Sequence, residues 1–298
     1  MIDFIKIYTN NKEALETNLK NKFDDTICSL NYYTGELQYP CRRYFENMEV
    51  RITNTMAIVR NSIHKYFNMI NDLGSNNYTD FYYSDMIKAF DLLQIDLDEN
   101  IEDCKITNLE FGLNIRTSQS PKTLLENNFI MYNFDDFSQI DTFGGYGYYK
   151  QYNRREYLVK IYDKGLQFRL PYNLMRVEIK ITDSKMLKNF GIYTTKDIYN
   201  KSSLKVLFNH LIKAFDEINI IDNGFTDQKM PHHTKTFIEI GKSSSFWREI
   251  KQNKSSSHYY DMRDRYNMLL DKYELNTIKQ ELKDLLVDKF DLLIEEEY

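Results

Sequence analysis

From Glu156 to Thr182, apolar and polar side chains alternate in two runs separated by a loop that holds Pro171. Alternate side chains of a strand share a face. Val159 and Ile161 therefore point one way, and Lys160, Tyr162 and Lys164 the other. In the second run Met175, Val177, Ile179 and Ile181 take the apolar face, while Arg176, Glu178 and Lys180 take the polar one. Residues 105–116 alternate as clearly. Leu109, Phe111, Leu113 and Ile115 oppose Asn108, Glu110, Gly112, Asn114 and Arg116. The shared alternation predicts three strands of one mainly antiparallel sheet, apolar on one face and polar on the other.

Ahead of these strands, residues 1–9 read as a strand and 11–22 as a polar helix. Residues 27–34 read as another strand, followed by a loop around Pro40. Residues 48–59 read as a hairpin turning at Thr53–Thr55. A helix starts near Ser84, with Met86, Ile87, Phe90 and Leu93 as its stripe, and the acidic run 96–103 ends it. The segment from Asn127 to Gly147 is polar and irregular, and G-G-Y-G-Y-Y-K at 144–150 reads as a flexible turn into a strand. Beyond the central pair, Thr195 to Asn200 suggests a short helix. Residues 203–218 carry the apolar stripe Leu204, Leu207, Phe208, Leu211, Phe215 and Ile218. Residues 222–236 are loop-like. Ser-rich breaks at 243–245 and 255–257 precede a charged helical tail striped by Ile278, Leu282, Leu285, Leu286, Leu293 and Ile294. No internal repeat is visible. The order predicts an α+β fold, a mainly antiparallel sheet with helices packed on one face and then a helical C-terminal part. The expected domains are 1–220 and 221–298.

Composition narrows the class. A hydrophobic content of 42% in 298 residues is enough for a globular core. The three cysteines, Cys28, Cys41 and Cys104, have no metal-like spacing, and an odd count without a signal peptide points to a reducing cytosol. No apolar run approaches the ~20 residues of a membrane helix. The expectation is a cytoplasmic protein with no membrane partner. Net charge is −5, but residues 145–190 hold ten Lys/Arg against four acids, a local +6 that leaves −11 for the rest. A basic island in an acidic chain is the footprint of a local phosphate site.

The chemistry follows from the polar faces. The histidines His64, His210, His232, His233 and His258 never stand two apart, so the paired-histidine metal motif of many strand-nicking enzymes is missing. Cysteines and histidines do not cluster, which argues against zinc. Carboxylates remain, and hard cations such as Mg²⁺ or Mn²⁺ take oxygen ligands. If the strands share a sheet, Glu110, Asn114, Tyr162 and Glu178 converge. Glu110 and Glu178 would hold the metal. Tyr162 would attack phosphorus to leave a phosphotyrosine and a free 3′ hydroxyl. Lys160 or Lys164 would stabilise the phenolate or the charge of the transition state and so lower the phenol pKa. Tyr148, Tyr149, Tyr157 and Tyr172 are the other nearby tyrosines. Lys150, Arg154, Arg155, Arg176 and Lys180 are the candidate DNA contacts. A solvated sheet face with a Glu178–Lys ladder alternates in the same way.

The order of the motifs adds to this. M-I-D at 1–3, S-I-H-K-Y-F-N at 62–68, N-Y-T-D-F at 77–81, L-E-F-G-L-N-I at 109–115, K-I-Y-D-K-G-L-Q at 160–167 and L-M-R-V-E-I-K-I at 174–181 occur in succession, followed by L-K-N-F-G-I-Y-T-T-K-D-I at 187–198. This succession resembles phage and plasmid replication initiators of the filamentous-phage gene II protein class, especially those on mobile elements of the Bacteroides group. The Y-D-K and R-V-E pairing also resembles staphylococcal rolling-circle plasmid initiators. The resemblance implies an enzyme that nicks one DNA strand at an origin and later rejoins it. It points to Tyr162, Lys164, Arg176 and Glu178, with Glu110 where related motifs often carry aspartate. The implied partner is single-stranded or hairpin origin DNA, and the resemblance leaves room for a host helicase and for a homodimer. The competing expectation is a non-enzymatic DNA-binding regulator on the same fold. An RNA-binding strand platform rests on the aromatics alone.

Overall fold

The computed structural model describes residues 1–9, 11–22, 26–143, 145–224 and 230–295. The first part of the chain runs β1 (Ile2–Thr9), α1 (Lys12–Lys22), β2 (Ile27–Leu30), β3 (Leu37–Phe45), β4 (Met48–Ile52), β5 (Ala57–Ser62), α2 (Ile63–Ile70) and α3 (Tyr83–Leu97). The second part runs β6 (Lys105–Arg116), α4 (Pro121–Asn127), β7 (Phe129–Tyr132), β8 (Gln139–Phe143), β9 (Tyr146–Asn153), β10 (Tyr157–Asp163), α5 (Lys164–Gln167) and β11 (Leu174–Ile181). Then come α6 (Ser184–Asn189), α7 (Thr195–Ile198), α8 (Lys201–Asp216) and β12 (Ile218–Ile220). Helices α9 (His232–Ile240), α10 (Ser244–Asn253), α11 (Ser256–Lys272) and α12 (Thr277–Glu295) follow.

Among the described residues, ten strands form one sheet in the order β2-β3-β4-β5-β1-β6-β11-β10-β9-β8, every pairing antiparallel. Alternation makes one face apolar. Ile5, Val50, Val59, Leu109, Phe111, Val177 and Ile161 all join a single buried cluster. The helices supply the other half of that cluster: Leu15 of α1, Phe90 of α3, Leu124 of α4, Leu207 of α8 and Phe290 of α12. The fold is α+β, with helices on one face of a mainly antiparallel sheet and a helical C-terminal part. A second cluster joins Met131, Phe134 and Ile221 to Trp247, Tyr266 and Leu270, and it holds α9, α10 and α11 together.

The strand order repeats itself. From β1 outward the strands run β5, β4, β3, β2, and from its partner β6 outward they run β11, β10, β9, β8. Each half is one central strand, one helix (α1 or α4) and then a four-strand meander that returns to the centre. Because β1 and β6 are antiparallel, a two-fold rotation about the sheet normal exchanges the halves and keeps the faces. The sequence shows no such repeat.

Several expectations are corrected. Pro40 lies inside β3 rather than in a loop. The ladder to β2 shifts register around it, between Ile27↔Arg42 and Ser29↔Gln38, which spares the missing N–H. The segment read as irregular contains β7 and β8, whose partners lie outside it or pair with exposed residues, so alternation is weak. His232 opens α9 rather than sitting in a loop. Gly144 and residues 225–229 of those expected loops lie outside the described residues. Cys28 and Cys41 are joined as a disulfide between β2 and β3, and Cys104 is free and buried. Among the described residues no helix is long and apolar enough to cross a membrane.

Candidate active site on the polar sheet face

The pairing register brings the predicted side chains together. Tyr162 faces Arg176, which faces Asn114 on the next strand, and Lys160 faces Glu178, which faces Gly112. Glu110 lies opposite Lys180, two residues from the Gly112–Glu178 pair. Glu110 and Glu178 are thus diagonal neighbours on one face, and such neighbours stand ~7–8 Å apart. Gly112 makes this approach feasible, since a Cβ there would come within 2.5 Å of Glu178 Cβ. Lys164 opens α5 rather than continuing β10, because the Asp163 side chain caps that turn by accepting from Leu166 N at 2.7 Å. Its amine still returns to the expected place.

A closed polar network results. Lys164 Nζ donates to Tyr162 Oη at 3.3 Å, and Tyr162 Oη donates to Glu178 Oε2 at 3.3 Å. Arg176 Nε donates to the same Glu178 oxygen at 2.6 Å, and Nη1 donates to Asn114 Oδ1 at 3.1 Å. Nη2 reaches Asp3 Oδ2 at 3.4 Å. Asp3 also accepts from Ser62 Oγ and Asn77 Nδ2. Residues 76–81 form a strap across this end of the sheet. Asn77 Oδ1 accepts from Lys164 Nζ at 2.7 Å, and Asn114 Nδ2 donates to the Asn77 and Tyr78 carbonyls at 3.1 and 3.2 Å. Thr79 bonds His64 Nε2 at 3.0 Å, and the His64 ring stacks on Phe81 with centroids 4.5 Å apart. Tyr162 is only 5% exposed, with the Phe143 ring 5.0 Å from its own.

Burial sets the protonation states. It pushes the Tyr162 phenol well above its ordinary value, and the Glu178 charge adds to that. The lowering expected from flanking lysines is therefore corrected: in the closed site desolvation outweighs the cations. Burial lowers Lys164 to about 7, helped by Arg176. Burial raises Glu110 to about 8, with Glu178 and Asp3 adding to it. Burial opposes the charge on Asp3, but Arg176 and Lys164 hold its carboxyl well below the usual range. His64 is driven well below its ordinary value, first by burial, so it is neutral.

The metal expectation meets a mixed donor set. Arg176 already fills the space between Asp3 and Glu178. Among the described residues no group of three or more His, Cys, Asp or Glu is arranged to hold a metal ion. Among the described residues of this face that leaves Glu110 and Glu178 as oxygen donors, Glu110 3.6 Å from Lys180 and Glu178 bonded by Arg176 and Tyr162. A buried carboxyl raised by a second carboxylate is the like-charge strain that a cation relieves, and Mg²⁺ often takes only one or two protein carboxylates.

The expected DNA contacts separate into distinct places. Lys150 is buried, with Nζ donating to Phe129 O at 2.7 Å. It pairs with Ile161 and so shares the apolar face. Arg176 is buried within the network. Neither is a surface contact. Arg154 and Arg155 sit at the β9–β10 turn, and Arg154 pairs with Glu217 at 3.0 Å. The length of β10, at ~3.3 Å per residue, puts them roughly 20 Å from Tyr162. Lys180 stays on the polar face, 3.6 Å from Glu110 and 4.3 Å from the Phe4 ring centre. Lys160 lies over the Phe143 and Tyr149 rings at 4.2 and 4.1 Å, and 5.6 Å from that of Tyr162.

Asp3, Ser62, His64 and Asn77 had no assigned role in the sequence. Each lies in one of the quoted motifs, M-I-D, S-I-H-K-Y-F-N or N-Y-T-D-F, and that was the available signal. No family model matches the chain, and no curated protein sequence does. Among solved structures the chain is similar to the rolling circle replication initiator protein from Geobacillus stearothermophilus. The identity is 13% over 77% of this chain and 89% of that chain, with a TM-score of 0.42.

Proposed function

We propose that the protein is a rolling-circle replication initiator that nicks and rejoins one DNA strand through Tyr162. The observation that carries this reading is the chain Lys164 Nζ–Tyr162 Oη–Glu178 Oε2, with both contacts at 3.3 Å. A phenol joined to an amine that titrates at about 7 is a nucleophile with its base. Neutral Lys164 turns its lone pair to Tyr162 Oη, the hydroxyl hydrogen leaves Glu178 Oε2 for that amine, and the oxygen bonds to phosphorus. The bond to the 3′ oxygen breaks, and the Lys164 ammonium returns a proton to that oxygen. A 5′ phosphotyrosine and a free 3′ hydroxyl result, and attack by a 3′ hydroxyl reverses the step. Arg176 stays bound to Glu178 and Asp3 and fixes the orientation of both carboxylates. Glu110 and Glu178 would hold Mg²⁺ or Mn²⁺, which supplies neutralisation of the phosphate charge. The strap must lift before a phosphodiester reaches Tyr162 Oη. The partner is the origin DNA, and the ordered motif resemblance to initiators supports the same reading.

The test is incubation with Mn²⁺ and single-stranded origin DNA, followed by peptide mapping of any covalent adduct. The expected adduct is on Tyr162, absent from Tyr162→Phe, and reduced in Glu178→Gln with DNA affinity retained. The burial of Tyr162 favours the second reading, a DNA-binding regulator without chemistry. Normal DNA binding with no adduct on any tyrosine would decide for that second reading.

A further inference from the structure

The repeated strand order gives each residue of the candidate site a counterpart in the other half. The β4–β5 and β10–β11 hairpins align from their turns, where Ile52↔Ala57 and Asp163↔Met175 are the last pairs. The next pairs out are Arg51↔Ile58 and Tyr162↔Arg176. Val50↔Val59 then matches Ile161↔Val177, apolar and buried in both halves. Glu49↔Arg60 matches Lys160↔Glu178. The flanking strands agree: Arg42 beside Arg51 matches Tyr149 beside Tyr162, and Lys6 beside Arg60 matches Gly112 beside Glu178.

The substitutions run both ways, with Glu49 in place of Lys160 and Ile58 in place of Arg176, but the balance shifts toward cations. Where the second half has its tyrosine, the first has Arg51. Where it has the Glu178 carboxylate, the first has Arg60. Glycine 112 and Tyr149 correspond to Lys6 and Arg42. Four cations therefore face outward with a single acid among them, Glu49, which Arg60 engages at 2.7 Å. Arg42 is exposed, while Arg51 and Lys6 are partly exposed. Arg51 Nε is buried without a partner among the described residues. Tyr8 and Tyr44 stand in the same register rows, beside Ile58 and Glu49, with Tyr44 54% exposed. A row of guanidinium groups interleaved with aromatic rings on an open sheet face is built for a phosphodiester backbone and its bases. At the position of Tyr162 it has an arginine, and its one carboxylate, Glu49, is engaged by Arg60.

We propose that the β1–β5 half of the sheet is a non-catalytic twin of the nicking site, and that it holds a flanking stretch of the same DNA single strand. Choosing DNA as the occupant rests on the function proposed above. From β10 to β4 there are five strand steps of ~4.8 Å, about 24 Å in all. That distance is roughly seven nucleotides of stacked strand at ~3.4 Å each. The arginine face thus grips a strand several nucleotides away from the scissile bond.

The experiment measures binding without cleavage, by fluorescence anisotropy over a salt series, in a Tyr162→Phe background. The probes are mixed-sequence single strands of about 20 nucleotides, which reach both halves, and of about five, which do not, at ~3.4 Å per nucleotide. Combining Arg42→Ala, Arg51→Ala and Lys6→Ala should weaken the long strand about tenfold or more and flatten its salt slope by about two, as each lost phosphate contact removes ~0.7–0.9. The short strand, which fits within one half, should weaken too, because the arginine face can hold it alone. Arg42→Lys with Arg51→Lys should keep most of the affinity, since charge is retained. An unchanged affinity and slope for the long strand overturns the proposal, and so does a long strand that binds the parent Tyr162→Phe protein no more tightly than the short one. A flattened slope in a protein that never forms an adduct leaves this proposal standing while the nicking reading fails.

Discussion

In the proposed reaction Lys164 is the base. Its amine is lowered to about 7 by burial and by Arg176, so near neutrality it is available as a base for Tyr162. The nicking rate should therefore rise with pH through about 7 and then level off. Lys164→Arg keeps the charge but cannot deprotonate. It should cut the rate by ~10²–10⁴, the usual range for a lost acid–base group, with DNA affinity unchanged, and single-turnover adduct formation across pH is the measurement. Glu110 makes the complementary prediction for stability. Its folded pKa is raised to about 8, so the folded state binds the proton more tightly than the unfolded chain. The stability this contributes is fully present below the unfolded value, ~4.5, and is lost as pH rises through about 8. Glu110→Gln should therefore gain stability relative to the parent protein as pH rises from 5 to 9, by roughly 1–3 kcal/mol. Urea melts at the two pH values check the sign.

At the scale of elements, the strands that carry the site were legible because each is half-buried and alternates cleanly. β6 runs Lys105–Arg116 as the pattern predicts, and β10 and β11 pair as read. The strap was not legible. Its residues 76–81 are ordered by Asn114, His64 and Asp3, side chains from other segments, and no local periodicity encodes such contacts. The repeat was hidden for a related reason. Only apolar parity is shared between the halves, while the polar positions differ in kind, Glu49 and Arg60 standing for Lys160 and Glu178 but Arg51 for Tyr162 and Ile58 for Arg176. Lys150 misled because a charge count over 145–190 ignores parity, and parity puts it on the apolar face with Ile161. Gly112 tests how closely β6 and β11 must approach. A Cβ there would meet Glu178 Cβ at 2.5 Å and Val177 O at 2.8 Å. Gly112→Ala should cost ~1–3 kcal/mol through overpacking. It should also reduce adduct formation more than DNA affinity, because Glu178 is the side chain displaced. A melt together with the two assays separates these effects.

At the scale of the whole molecule, the C-terminal helix reaches back to the site. Phe290 of α12 stacks on Phe208 of α8 with centroids 4.1 Å apart, and it meets the Phe111 ring of β6 at 6.3 Å. One residue earlier, Lys289 bonds Asp80 of the strap at 3.0 Å. The two contacts do different things. Phe290 is buried core, so Phe290→Ala should cost ~3–5 kcal/mol and destabilise everything at once. The Lys289–Asp80 pair is part-exposed, with side chains at 20% and 35%, so removing it should cost at most ~1 kcal/mol of global stability. Its local effect is larger in kind, because strap residue Asn77 bonds Lys164, which bonds Tyr162 Oη. Lys289→Ala should therefore raise amide hydrogen exchange across 76–81 several-fold while the amides of β6 and β11 keep their protection. Adduct formation on a short single strand should quicken in the same variant, since opening the strap precedes attack. Unchanged exchange at 76–81 would show that the strap is held by Asn77, Asn114 and His64 alone, and that α12 has no part in admitting the strand.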